Sequence, residues 1–205
     1  SLKLASTKLI DMNKRKIVAI LQARMGSSRF PGKSLVDING EPLLKRIINI
    51  QKNTDLLDSY FVVTSDLKID NPIEELCIEM GINFYRGSEK NVLSRFLHVS
   101  GQTNADIIVR LTADNLFVDS DLITYVCKSF LNSNDNIKYA STDLKSGFPY
   151  GMSVEVFSSS ELKKYKNTKN CNVLEHVTYE MRKKINRKNL LFVKAPINCI
   201  NNSIN

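Results

Sequence analysis

The chain has 205 residues, 42% of them hydrophobic and 24% charged, which suits one ordinary soluble domain with a real core. No apolar run approaches the ~20 residues that cross a bilayer, and the start lacks the charged-then-apolar layout of a secretory leader, so a cytoplasmic protein without membrane contact is expected. The net charge of +8, from 29 Lys and Arg against 21 Asp and Glu, crowds into the last third, yet no aromatic residues interleave with those cations. That pattern favours an anionic small molecule over nucleic acid.

Residues 1–15 read as an appended tag or disordered tail, and 16–205 as a single domain. Residues 17–21 (IVAIL) form an unbroken apolar run, the mark of a strand buried on both faces. A polar loop follows, then an Asn39-Gly40 turn. Glu41-Pro42 opens a helix whose buried face is Leu43, Leu44, Ile47, Ile48 and Gln51. Residues 60–64 predict a second strand, and Asn71-Pro72 starts a helix that Gly81 closes. Strand 82–85, helix 92–100, strand 107–111 and helix 121–131 continue the alternation, with His98 as a structural residue in its helix. Beyond it, strands are expected at 138–141, 152–157 and 190–194, with helices at 162–165 and 173–185. The segment 136–170 reads as a small α+β lobe. Cys77, Cys127, Cys171 and Cys199 are scattered without C-x-x-C pairing, so neither a zinc site nor a disulfide framework is supported, and Cys77 and Cys127 read as buried thiols.

Strands alternating with helices predict an α/β fold, a mainly parallel sheet with helices on both faces. Ligands in such sheets bind beyond the carboxyl ends of the strands. Three of those ends carry polar clusters: residues 22–33, Ser65-Asp66 and residues 112–115. In the first, Gly26, Ser27 and Ser28 let backbone N–H groups approach an anion, while Arg24, Arg29 and Lys33 bring positive charge. Neither GxxxxGK[ST] nor GxGxxG is present, which sets aside a P-loop or dinucleotide site. A basic surface loop is the alternative on residue types alone. Asp114, at a strand end, is the candidate ligand for a hard divalent cation, which demands carboxylate oxygens; capping of the next helix is its alternative role.

The loop sequence QARMGSSRFPGK resembles the signature loop of cytidylyltransferases that make CMP-activated acidic sugars, most nearly the spore-coat polysaccharide biosynthesis protein F type. VRLTADNLFVDSDLI, the Arg86-Gly87-Ser88 segment, FPYGMSVE and Glu175-His176-Val177-Thr178 resemble further blocks of that family. The resemblance implies a nucleotide-diphospho-sugar transferase-like (Rossmann-like) fold. It also implies CTP and a small acidic sugar or sugar-phosphate acceptor as ligands, Mg²⁺ as cofactor, and a homodimer. By the same resemblance Gln22, Ala23, Arg24, Gly26, Ser27, Ser28, Arg29, Lys33, Ser65, Asp66, Ser88, Arg95 and Thr112 face the nucleotide. Arg24, Lys33 and Asp114 are then catalytic, with Asp114 on the metal, and Tyr150, Ser153, Glu155 and His176 meet the acceptor.

Several positions depart from the family pattern. Asn91 replaces an aspartate, Asn115 and Leu116 replace a cysteine or acid and a proline, and Tyr150 and Ser153 replace two aspartates. A final strand–aspartate segment of the family is not matched, so the C-terminal end reads as truncated and reduced activity is expected. Two rivals follow: a nucleotide-sugar glycosyltransferase, and a degenerate relative that binds nucleotide or dimerises without turnover.

Overall fold

The computed structural model describes residues 15–26, 30–143 and 146–196. Five consecutive apolar residues place β1 (Ile17–Gln22) at the heart of the sheet, with Ile17 to Leu21 all buried. Ile17, Ala19 and Leu21 join one core, and Val18 and Ile20 join the other, as side chains alternating across a doubly covered strand must. β1 pairs in parallel with β2 (Ser59–Ser65) and β4 (Ile107–Thr112), and β2 pairs in parallel with β3 (Asn83–Gly87). β5 (Tyr139–Thr142), β6 (Glu155–Ser158) and β7 (Leu190–Val193) complete a seven-stranded sheet in the order β3-β2-β1-β4-β6-β5-β7. β6 runs antiparallel to both neighbours. The strands of segment 136–170, expected as a lobe, are therefore continuous with the main sheet.

The helices form where the apolar spacing turns to 3.6. α1 (Leu43–Gln51) follows Pro42 at its N-cap and buries Leu44, Ile47, Ile48 and Gln51; the Gln51 Oε1 accepts a hydrogen bond from the Tyr60 hydroxyl at 2.8 Å. α2 (Asn71–Glu79) carries Pro72 in its first turn, and Gly81 beyond its end takes a left-handed φ of 63°. Asn91 caps α3 (Val92–Thr103) by accepting from the Ser94 N–H at 2.9 Å, and Asp119 caps α4 (Ser120–Leu131) through the Leu122 N–H at 2.8 Å. A side-chain cap of this kind stabilises a helix by about 1 kcal/mol. The role expected as an alternative for Asp114 thus belongs to Asp119. No helix among the described residues is long and apolar enough to cross a membrane.

Three expectations need correction. The helix expected over 173–185 is two helices, α6 (Cys171–His176) and α7 (Tyr179–Lys184), broken at Val177, whose φ is 46°. The helix expected at 162–165 is instead α5 (Ser159–Lys163), and the strand expected from residue 152 begins only at Glu155. His98, expected as a structural residue, is exposed and stacks on Tyr85 with ring centroids 3.8 Å apart. Cys77 and Cys127 are buried thiols and Cys171 is exposed, while Cys199 lies outside the described residues.

Candidate active site

After β1 the chain passes to β2 and β3 on one side and then to β4 on the other. The strand order therefore reverses between β1 and β4, where a crevice opens beyond the carboxyl ends. The two ends are in register, Gln22 beside Thr112, and the Ala113 N–H donates to the Gln22 carbonyl at 3.0 Å. A cleft of about 710 Å³ lies there.

The cleft collects side chains from both strand ends. Gln22, Ala23, Arg24 and Lys33 come from β1 and its loop, and Thr112 and Asp114 from β4. Gly32 adopts a left-handed φ of 75°, donates its N–H to the Met25 carbonyl at 2.9 Å, and starts a 3-10 turn at Lys33–Leu35. Two further bonds fix the loop: the Ser34 hydroxyl donates to the Arg24 carbonyl at 2.9 Å, and the Met25 N–H donates to Asp70 Oδ1 at 2.7 Å. Held in this way, Lys33 Nζ stands 3.6 Å from Asp114 Oδ2. Burial pushes the Asp114 carboxyl upward, but the Thr112 hydroxyl (2.5 Å) and the Lys33 ammonium outweigh that and keep it below its usual value. The carboxylate is ionised at neutral pH and open to the cleft.

Tyr150, Ser153, Glu155 and His176 also line the cleft, so these four expected acceptor residues share one cavity with the expected catalytic Arg24, Lys33 and Asp114. Glu155 differs from the expectation. It is only 4% exposed, it pairs with Arg110, and it accepts hydrogen bonds from the Tyr139 hydroxyl at 2.5 Å and the Thr178 hydroxyl at 2.9 Å. Its oxygens are occupied by protein donors rather than left for a sugar hydroxyl or a metal's water shell.

Five expected nucleotide residues fall outside the cleft lining. Gly26 and Ser88 are exposed, and a Cβ on Gly26 would stand 4.0 Å from Glu89 Oε1, so the first loop approaches the 88–89 turn. Ser65 is buried, with its N–H (3.0 Å) and hydroxyl both donating to Asp70, and Asp66 is exposed. Arg95 is 1% exposed, with Nε and Nη1 unpartnered and Nη2 at 3.5 Å from the Glu89 carbonyl. Ser27, Ser28 and Arg29 lie outside the described residues.

Two residues that hold the site were not singled out from sequence. Asp70 ties the first loop to the end of β2 through Met25 and Ser65. Arg110 lines the cleft and faces Glu155 across the β4–β6 ladder. A cation inside the otherwise apolar strand IIVRLT was the available signal, because a charge in such a strand needs a buried counter-ion.

For the implied Mg²⁺, the donor set beside Lys33 is the Asp114 carboxylate with the Thr112 hydroxyl, and Asp143 is a further carboxylate in the cleft lining. No group of three or more His, Cys, Asp or Glu side chains among the described residues could hold a metal. One carboxylate fits a magnesium ion that keeps several waters and takes the rest of its shell from substrate phosphates.

Sheet order and switch-point cleft are those of the nucleotide-diphospho-sugar transferase fold. The family model described as cytidylyltransferase matches residues 18–201, and the chain belongs to that family. It is 35% identical over 127 residues to the spore coat polysaccharide biosynthesis protein SpsF of Bacillus subtilis, covering 60% of this chain and 53% of that protein. It is 30% identical over 124 residues to the 3-deoxy-manno-octulosonate cytidylyltransferase of Parabacteroides distasonis, covering 60% of this chain and 48% of that one. The chain thus spans about half the length of these two relatives. The solved structure of a cytidylyltransferase from Leptospira borgpetersenii superposes with a TM-score of 0.82 at 27% identity, covering 88% of this chain and 76% of that one.

Proposed function

We propose that the chain transfers CMP from CTP to an acidic sugar or a sugar or polyol phosphate, releasing pyrophosphate, in the assembly of a surface polysaccharide. The observation that carries this reading is the Lys33–Asp114 pair, 3.6 Å apart across the switch point, inside a cleft that also receives Arg24. Names borne by two relatives, one a spore coat polysaccharide protein and one a cytidylyltransferase for an acidic sugar, support it.

In this reading the triphosphate lies between the β1 loop and the end of β4. Lys33 and Arg24 hold its oxygens by charge-assisted hydrogen bonds, which strengthen as charge builds on the leaving pyrophosphate. An acceptor oxygen, oriented from the Tyr150 and His176 side, attacks the α-phosphorus in line; the bond to the bridging oxygen breaks, and pyrophosphate and a proton leave. Positioning supplies much of the rate, since the reacting groups are held within one cavity. Mg²⁺ bound to Asp114 and the phosphates would neutralise charge on the triphosphate.

The test is pyrophosphate release from CTP and Mg²⁺ with 3-deoxy-manno-octulosonate, N-acetylneuraminate, glycerol 3-phosphate and hexose phosphates as acceptors. Release that depends on one acceptor and prefers CTP over UTP and ATP supports the reading. CTP binding without release from any acceptor would favour a relative that does not turn over.

A further inference from the structure

We propose that Arg110 is the group that binds the acceptor's negative charge, and that Glu155 is a positioning residue acting through it. This rests on the cytidylyl-transfer reading of the cleft and deepens it by saying what the acceptor end recognises.

An ionised carboxylate offers about four lone-pair sites, and Glu155 gives them to Arg110, Tyr139 and Thr178, with Arg182 Nε 4.0 Å away. It sits beneath the cleft, 4% exposed. Arg110 is the opposite case. Of its five N–H donors, those on Nη1 turn to Glu155, Nη2 has only a long contact to Gln22 Oε1 at 3.5 Å, and Nε has no partner. A guanidinium with donors to spare, held by a buried carboxylate in the wall of a cavity, is suited to a carboxylate or phosphate oxygen.

Position and charge agree with that ligand. Arg110 and Thr112 lie on one face of β4, about 7 Å apart along the strand, so an anion on Arg110 would sit one step behind the triphosphate. One carboxylate, Glu155, serves both Arg110 and Arg182, which leaves these three groups a net positive charge. The covering segment FPYGMSV, residues 148–154, contains no carboxylate, and Asp143 is the other acidic residue of this part of the lining besides Glu155. The Thr178 bond to Glu155 also lies next to the Val177 break, so the same carboxylate fixes the corner that presents His176 to the cleft.

Glu155→Gln alone leaves a buried guanidinium without its counter-charge and risks the fold. The double variant Arg110→Gln/Glu155→Gln removes both charges, and the near-isosteric change at position 155 leaves an acceptor for Tyr139 and Thr178. Isothermal titration would measure 3-deoxy-manno-octulosonate, N-acetylneuraminate, the methyl esters of both acids, and glycerol 3-phosphate, with and without α,β-methylene-CTP. CTP affinity and melting temperature would be followed in parallel.

At least one anion should bind the wild type, and a methyl ester about tenfold or more weaker than its acid, as loss of a charged hydrogen bond implies. The preference between carboxylate and phosphate arms identifies the anionic group. The double variant should lose that anion about tenfold or more while keeping CTP affinity within roughly twofold, as a separate site requires. Unchanged anion affinity in the double variant, an equal loss of CTP affinity, or no anion bound by the wild type would overturn the assignment. Anion binding through Arg110 in a protein that ignores CTP would instead sink the transferase reading and uphold this one.

Discussion

Replacing Lys33 by alanine separates a binding role from a structural one. The ammonium is 3.6 Å from Asp114 Oδ2, and the two side chains are 32% and 60% exposed, respectively. A pair that open to solvent contributes only about 0–1 kcal/mol to folding. At roughly 2–4 °C per kcal/mol for a chain of this size, the melting temperature should fall by no more than about 4 °C. A charged hydrogen bond to phosphate is worth more, about 1.5–3 kcal/mol, so Lys33→Ala should weaken CTP by roughly 10- to 150-fold. Lys33→Arg, which keeps the charge, should recover most of that loss. The assay is calorimetric titration of CTP with Mg²⁺, paired with thermal melts. A CTP affinity within threefold of wild type in a well-folded Lys33→Ala protein would refute the placement of the triphosphate beside Lys33.

Further outcomes follow from the titratable groups. Burial raises the Glu155 carboxyl, but the Arg110 charge and the Tyr139 hydrogen bond outweigh it, so its value in the folded chain lies below the ordinary one. A depressed carboxylate stabilises above its unfolded pKa of about 4.3 and loses that contribution as pH falls through the folded value. Melting temperature should therefore hold between pH 7 and about 5 and drop steeply below about 4; a flat profile down to pH 3 would contradict the buried ion pair. Burial pushes the Cys77 and Cys127 thiols up to about 12, whereas Cys171 is exposed. Brief iodoacetamide treatment at pH 8 should label Cys171 and spare the other two by peptide mass spectrometry, and rapid modification of Cys77 or Cys127 would show their surroundings to be open.

The parallel half of the fold was legible because its signals are local. Five apolar residues make β1 a central strand whatever pairs with it, and Pro42, Asn71-Pro72 and Gly81 mark helix ends by backbone chemistry alone. The meeting of Gln22, Ala23, Arg24 and Lys33 with Asp114 was legible too, since both segments follow parallel strands and must emerge on the same edge. What escaped depends on distant partners. β6 inserts antiparallel between β4 and β5, so nothing near Glu155 in sequence reveals Arg110 as its counter-charge, 45 positions away. The break at Val177 was hidden for a similar reason. The 173–185 stretch has helical spacing throughout, and the Thr178 bond to Glu155 lies across the break.

A triphosphate is expected across the carboxyl ends of β1 and β4, with cations on one side and Asp114 on the other. A crystal structure of the protein with CTP and Mg²⁺ tests it most directly. Phosphate oxygens should lie within hydrogen-bonding distance of Lys33 Nζ and the Arg24 guanidinium, with the metal bound to Asp114. Triphosphate density elsewhere, for instance among the cations of residues 182–188, with the Lys33–Asp114 pair left intact, would contradict it.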